Sequence, residues 1–326
     1  MTLLQIRDLE VVYRTASGPL PAVRGVNLEV AAGQTVGLAG ESGCGKSTVA
    51  STILRLQPAS AELRGQVLVE GEDVLTMRWA PLRALRWAGA SMVFQGALHS
   101  LNPVRRIGRQ IAEPIRLHDH SVSADDAARR VDEVLEQVGL PRSRARVYPH
   151  QLSGGQRQRV MIAMALACRP RLVIADEPTT ALDVMVQAQV LKQLTDLVHD
   201  LGIGMLLISH DLSVLGSTCD RVAVMYAGRV VEEGAAAQVF ADPRHPYSAA
   251  LARAFPRIGD PIARFGPSGL PGDPPDPRDL PTGCSFHPRC PVVMSSCQQI
   301  DPRNLPAGPG RTAACLRVGD EEQEPG

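Results

Sequence analysis

The chain has 326 residues, 44% of them hydrophobic and 3% aromatic, with 34 basic side chains matched by 34 acidic ones. That composition supplies one large core or two smaller ones, while the formal charge of +0 excludes a chain-wide polyanion-binding face and the scarcity of rings argues against base-stacking surfaces. No apolar run approaches the ~18 residues that span a bilayer, and the N-terminus lacks the basic-then-apolar pattern of a signal peptide, so a soluble or peripheral chain is expected. Residues 3–13 alternate as a strand ending at Tyr13, a Thr-Ala-Ser-Gly-Pro loop follows at 15–19, and a second strand covers 23–30. An aromatic ring at the end of that first strand can stack on an adenine; a half-buried strand tyrosine is the plainer alternative.

A short buried strand at 35–39 then enters Gly40-Glu41-Ser42-Gly43-Cys44-Gly45-Lys46-Ser47-Thr48, which fits G-x-x-x-x-G-K-[ST]. The glycines let the backbone curl so that several N–H groups face phosphate oxygens. Lys46 reaches the β- and γ-phosphates in such a loop, and the Ser47 hydroxyl sits on Mg²⁺. A helix over 46–57, stopped by Pro58, adds its N-terminal dipole to the anion site. Strand, loop, lysine, hydroxyl and helix together identify an ATP-type nucleotide site with Mg²⁺.

Residues 65–73 read as a strand and turn, and 91–95 as a short strand ending on Gln95, whose neutral carbonyl can reach the Mg²⁺ or the attacking water. From 96 to 167 strand signals vanish and helical periodicity takes over. The clearest helix is 125–138, with Ala128, Val131, Val134, Leu135 and Val138 as its apolar stripe, Ser123 as N-cap and Gly139 as stop. Leu152-Ser153-Gly154-Gly155-Gln156 closes this insert and opens an arginine-rich helix, a second anion-binding turn. One chain holds one phosphate loop, so a second such turn implies a second copy or relative, arranged head to tail with the nucleotide between. A plain helix cap is the alternative.

Residues 171–177 form an apolar strand ending on Asp176 and Glu177. An aspartate there holds Mg²⁺, often through water, and the following glutamate can polarise the water that attacks the γ-phosphate. Asp183 opens the next helix, and 204–209 is another buried strand leading to His210, which at that position can bond the γ-phosphate and orient Glu177. A hairpin over 221–226 and 229–233, turned at Ala227-Gly228, ends the regular pattern.

Beyond residue 240 proline and glycine crowd in, densest at 267–281, and disorder is the default. Two features resist that reading: His245-Pro246-Tyr247 with a short helical segment at 248–255, and Cys284-x₅-Cys290-x₆-Cys297-x₁₇-Cys315. The remaining three of seven cysteines are scattered. Zinc ordinarily shows tighter C-x₂₋₄-C pairs; four thiolates also suit an iron–sulfur cluster; free thiols or one disulfide stay open.

The order phosphate loop, Gln95, Ser153 turn, Asp176-Glu177, Asp183, His210 resembles the ABC ATPase cassette over about residues 1–240. By that resemblance the fold is α/β, a RecA-like mixed sheet core (residues 1–95 and 168–240) carrying an all-helical subdomain (96–167) and a cysteine-containing C-terminal extension (241–326). It further implies that Tyr13 is the adenine-stacking aromatic, Gln95 the γ-phosphate sensor, Ser153 to Gln156 the signature turn, Asp176 the magnesium acid, Glu177 the catalytic base and His210 the switch histidine. His245-Pro246-Tyr247, Glu177-Pro178-Thr179-Thr180-Ala181-Leu182-Asp183-Val184 and Cys284-Ser285-Phe286-His287-Pro288-Arg289-Cys290-Pro291 are similar to dipeptide and oligopeptide importer ATPases. The segment after Gln95 is similar too, although Gly96 stands where an acidic residue is common, which bears on permease coupling. The resemblance implies uptake of peptides across the cytoplasmic membrane, with nickel complexes or a non-transport soluble ATPase as alternatives. It implies a second ATPase subunit (a heterodimer, with a homodimer as the alternative), two membrane-spanning permeases, an extracytoplasmic binding protein acting indirectly, no nucleic acid, and a [4Fe–4S] cluster on Cys284, Cys290, Cys297 and Cys315.

Overall fold

A computed structural model describes residues 1–94, 96, 100–179, 182–254, 270 and 272–320. In chain order these form β1 (Thr2–Thr15), β2 (Gly18–Ala31), β3 (Thr35–Ala39), α1 (Lys46–Ile53), β4 (Ala61–Val69), β5 (Glu72–Asp73), α2 (Trp79–Ala88) and β6 (Ala90–Val93). The helices α3 (Ile107–His118), α4 (Ala124–Gln137) and α5 (Gly154–Leu166) follow, then β7 (Leu172–Asp176), α6 (Val184–Asp200), β8 (Gly204–Ser209), α7 (Leu212–Thr218), β9 (Arg221–Tyr226) and β10 (Arg229–Ala235). The chain ends with α8 (Ala236–Ala241), α9 (Pro246–Ala254), β11 (Leu305–Pro306), β12 (Thr312–Ala313) and α10 (Leu316–Asp320). The order is mixed α/β, with strands and helices interleaved up to β10.

Two compact units emerge. The first holds residues 1–4, 30–35 and 69–208. Its sheet is β6, β7 and β8 in parallel, with Val93 opposite Ala175 and Asp176 opposite Ile208. All of β7 is buried, as a strand covered on both faces must be. The helical segment carries no strand among the described residues between 100 and 167. In α4 the Ser123 hydroxyl accepts the Asp126 N–H at 3.0 Å, and Gly139 takes a φ of 67° just past the end. The buried stripe is Ala127, Val131, Val134 and Leu135 rather than one starting at Ala128. The spacing explains the shift: from 131 the helical face runs back to 127, four residues earlier, and Ala128 turns to solvent.

The second unit holds residues 5–29, 36–68 and the chain from 209 onward. Here β3 pairs β9 in parallel, Val36 opposite Arg221, and β9 pairs β10 antiparallel. The β9–β10 hairpin turns through Ala227 (φ 46°) and Gly228 (φ 81°), the paired positive values of a tight turn that suits the strand twist. The helix leaving the phosphate loop is shorter than the expected 46–57. It stops at Ile53 because Arg55 flips to a φ of 47° and Gln57 folds back. The Gln57 Nε2 donates to the Thr48 carbonyl at 3.0 Å and to the Ser51 and Thr52 hydroxyls at 2.8 and 2.6 Å. Local side-chain bonds of this kind compete with another helical turn.

The extension departs from the disorder expected of its composition. Residues 255–269 and 271 lie outside the described residues. From 272 the chain is irregular, yet β12 adds antiparallel to β10, Glu232 opposite Ala313, and β11 adds to β12. Beneath it Glu232 is fully buried. Its carboxylate accepts the Arg244 and His245 N–H groups, each at 2.9 Å, and the Arg311 guanidinium at 2.6 Å.

Candidate nucleotide site and cysteine cavity

In the second unit the phosphate loop is shaped by its glycines. Gly45 has a φ of 107°, and a side chain there would run into the Ala22 carbonyl oxygen; Gly40, at 148°, would meet that of Met225. Lys46 is 5% exposed, and its ammonium donates to the Gly40 carbonyl at 2.7 Å and the Glu41 carbonyl at 2.9 Å. These are carbonyl partners that a phosphate oxygen can replace. Ser42 and Gly43 at the loop crest and the Ser47 position at the head of α1 are exposed. Cys44 is buried below, and burial pushes its thiol up. The Tyr13 hydroxyl stands 3.4 Å from Thr48 Oγ1, so the fold brings the aromatic expected at the adenine to the first turn of α1. His210 belongs to the same unit and is exposed, next to Asp211, whose carboxylate caps α7 through the Ser213 and Val214 N–H groups.

The first unit carries the acids and the signature turn. Asp176 is the last residue of β7 and 5% exposed; Glu177 leaves the strand with a φ of 43° while its N–H donates to the Ile208 carbonyl at 3.1 Å. Left-handed backbone at a glutamate is uncommon and is found where the surrounding structure enforces it, often at functional sites. Ser153 caps α5 reciprocally: its hydroxyl accepts the Gln156 N–H at 3.3 Å, and Gln156 Oε1 accepts the Ser153 N–H at 3.2 Å. Asp183 caps α6 by accepting the Val186 N–H at 3.0 Å. The two caps meet: a Cβ on Gly154 would lie 3.4 Å from Leu182 Cδ2, and one on Gly155 2.7 Å from Val186 Cγ1. Gln95, Thr180 and Ala181 lie outside the described residues.

Sequence reasoning marked Tyr247 and Arg289 only as parts of motifs and missed what they touch. The Tyr247 hydroxyl accepts the Glu41 N–H at 2.8 Å, and the Arg289 guanidinium meets both carboxylate oxygens of Glu41 at 2.7 and 3.0 Å. The signal was a carboxylate inside an anion-binding loop, which calls for a cation nearby. His245, wholly buried, accepts the Tyr247 N–H on Nδ1 at 3.0 Å, and burial lowers its pKa to about 4, so the ring is the neutral form.

The four C-terminal cysteines line one small cavity with His245, Phe286 and Pro302. Burial pushes the Cys284 thiol up to about 11, and its neighbours Cys297, Cys315 and Cys290 push the same way. None of the seven cysteines is joined to another in a disulfide. Among the described residues no group of three or more His, Cys, Asp or Glu side chains is arranged to hold a metal ion, so the thiols share a cavity without closing on a single ion.

No helix among the described residues is long and apolar enough to cross a membrane. Residues 23–180 match the ABC transporter family, and residues 231–297 match the oligopeptide/dipeptide transporter C-terminal region. The chain is 43% identical to the oligopeptide transport ATP-binding protein OppD of Salmonella typhimurium, over 98% of this chain and 95% of that one. It is 45% identical to a putative peptide import ATP-binding protein of Brucella abortus, over 96% and 94%. Among solved structures, a dimeric bacterial ABC transporter cassette aligns with a TM-score of 0.64 at 28% identity, covering 72% of this chain and 98% of that one. CbiO1 of Clostridium perfringens, part of an ABC transporter complex, aligns with a TM-score of 0.63 at 28% identity, over 74% and 91%. The chain belongs to the ABC transporter ATPases, in the branch that carries the oligopeptide/dipeptide transporter C-terminal region.

Proposed function

We propose that this chain is the subunit that hydrolyses ATP to power peptide import, bound peripherally to the cytoplasmic face of the membrane through two permease subunits. The observation that carries the reading is the presence in one chain of a folded phosphate loop and the oligopeptide/dipeptide C-terminal region. The names of the full-length relatives support the peptide class.

In this reading the loop amides and Lys46 bind the triphosphate, and Tyr13 faces the adenine. Ser47, Asp176 and Gln95 supply only oxygen donors, the set that suits a hard cation such as Mg²⁺. When bound, Mg²⁺ would neutralise phosphate charge. Glu177 takes the proton of the attacking water, and His210 orients the γ-phosphate. A second, non-identical cassette presents its signature turn to this site, and Ser153 to Gln156 with Asp183 serve the partner's nucleotide. Most of the rate comes from positioning and electrostatics.

A strain lacking this chain, given it back as wild type or as Glu177→Gln, tests the assignment. Wild type restores uptake of a labelled tripeptide; the variant binds ATP as well as wild type and restores none. Full uptake with Glu177→Gln overturns the base assignment, and tripeptide uptake indifferent to the chain overturns the substrate class.

We further propose that Cys284, Cys290, Cys297 and Cys315 ligate a [4Fe–4S] cluster. What supports this reading is the donor set: the four cysteines line one cavity, and four thiolates, one to each iron, would be the ligands of such a cluster. Cys290→Ser, purified without oxygen, then loses iron while still binding ATP; unchanged iron content refutes the shared site.

A further inference from the structure

The phosphate loop contains a carboxylate. Glu41 follows Gly40 directly, in the segment whose amides are to meet a triphosphate of about four negative charges. An uncompensated anion at that distance opposes the ligand: two unit charges ~8 Å apart at an effective dielectric of ~20 repel by about 2 kcal/mol, some thirtyfold in affinity. The fold answers from 248 residues away.

Glu41 is held at three groups. Its N–H donates to the Tyr247 hydroxyl at 2.8 Å. Its carbonyl accepts Lys46 Nζ at 2.9 Å. Its carboxylate receives both arms of the Arg289 guanidinium, at 2.7 and 3.0 Å, and the two side chains are only 6% and 22% exposed. Arg289 is itself seated: its guanidinium lies 5.8 Å from the centre of the Tyr226 ring, and Tyr226 packs 4.6 Å from Tyr247 and 5.2 Å from Phe286, centre to centre. Two residues of the C-terminal extension therefore fix the first peptide of the loop and the charge upon it.

We propose that Arg289, with Tyr247, is a positioning residue of the nucleotide site: it neutralises Glu41 and holds its peptide so that the loop accepts a triphosphate. The proposal rests on the reading of residues 40–48 as the phosphate loop. It gives the extension a direct part in ATP affinity. The bidentate geometry is needed as well as the charge, because a planar fork fixes both carboxylate oxygens and a lysine ammonium fixes one.

Binding of Mg-ATP, Mg-ADP and adenosine to the purified full-length chain, measured by calorimetry, tests this with Arg289→Met, Arg289→Lys, Arg289→Met/Glu41→Gln and Lys46→Ala. Arg289→Met is expected to weaken ATP about tenfold or more, ADP less, and adenosine not at all, since the bared carboxylate acts on phosphate charge. Arg289→Lys falls between it and wild type. The double variant, which removes both charges and leaves no buried ion unpaired, recovers most of the lost ATP affinity even where Arg289→Met folds poorly. Unchanged ATP affinity in both Arg289→Met and Arg289→Lys overturns the proposal. So does an equal loss for ATP, ADP and adenosine, or a double variant as weak as Arg289→Met, since either marks a merely structural contact. Lys46→Ala separates the underlying reading: if it leaves ATP binding intact, residues 40–48 are not the phosphate site and the proposal falls with them. If Lys46→Ala abolishes binding while the Arg289 variants bind normally, only the role of the extension is refuted.

Discussion

Arg311 Nη2 donates to Glu232 Oε1 at 2.6 Å, and the two side chains are 6% and 0% exposed. Two backbone N–H groups complete the carboxylate's shell. Removing the cation alone leaves a buried charge with half of its partners, a loss of about 3–5 kcal/mol. Arg311→Met is therefore expected to lower the unfolding free energy, read from a urea titration, by that margin, with Arg311→Met/Glu232→Gln recovering part of it. A melting curve unchanged by Arg311→Met would show that the pair adds nothing to stability.

Gly45 leads into α1 at a φ of 107°, where L side chains are strained by of order 1–3 kcal/mol, and its missing Cβ makes room for the Ala22 carbonyl. Gly45→Ala is expected to cost at least tenfold in ATP affinity, because relief of the clash moves the loop away from the phosphates. Isothermal titration with Mg-ATP measures it, and a dissociation constant within twofold of wild type would contradict the geometry.

Gly155 lets the signature turn approach α6, with Val186 Cγ1 2.7 Å from where a Cβ would stand. Overpacking of this kind costs about 1–3 kcal/mol. Gly155→Ala should lower the melting temperature, and pairing it with Val186→Ala should restore most of the loss. Non-additivity is the readout, since neighbours that share one gap couple and distant sites do not.

Burial raises the Cys219 thiol to about 12. The thiolate is the reactive form, so at pH 8 only about one molecule in 10⁴ presents it. Alkylation of Cys219 in the native protein should climb about tenfold per pH unit from 8 to 10 without levelling. A plateau near pH 9, followed by peptide mass spectrometry, would place the thiol in a more polar setting than the fold gives it.

What the sequence discloses is what lies close along the chain. The phosphate loop, the Ser123 cap, the Gly139 stop and the Ala227-Gly228 turn each fit within a few residues, and the structure has all of them. The helix α2 escaped notice because Leu82 is its sole buried residue and no side chain caps its start, so neither periodicity nor a cap marks it. The Gln57 bonds that end α1 early use three side chains whose hydroxyls and amide give no hint of direction. The pairs Glu41–Arg289 and Glu232–Arg311 are 248 and 79 positions apart, beyond any local pattern. Composition misled most in the extension: proline and glycine remove helices and strands, yet four cysteines, an aromatic cluster and two buried ion pairs still order it.

The strand order at the end of the second unit sets a timetable. The hairpin of β9 and β10 is complete by Ala235, but β12, which covers its far side, spans Thr312–Ala313. At ~5–20 residues per second, the ribosome needs roughly 4–16 s to make the intervening stretch. Through that interval the nascent hairpin carries an open row of backbone donors and acceptors, and Glu232 waits for its arginine. Open strands of this sort pair with other chains. A gene cut after α9 would make that interval permanent, so the product should accumulate as aggregate instead of as a smaller working ATPase.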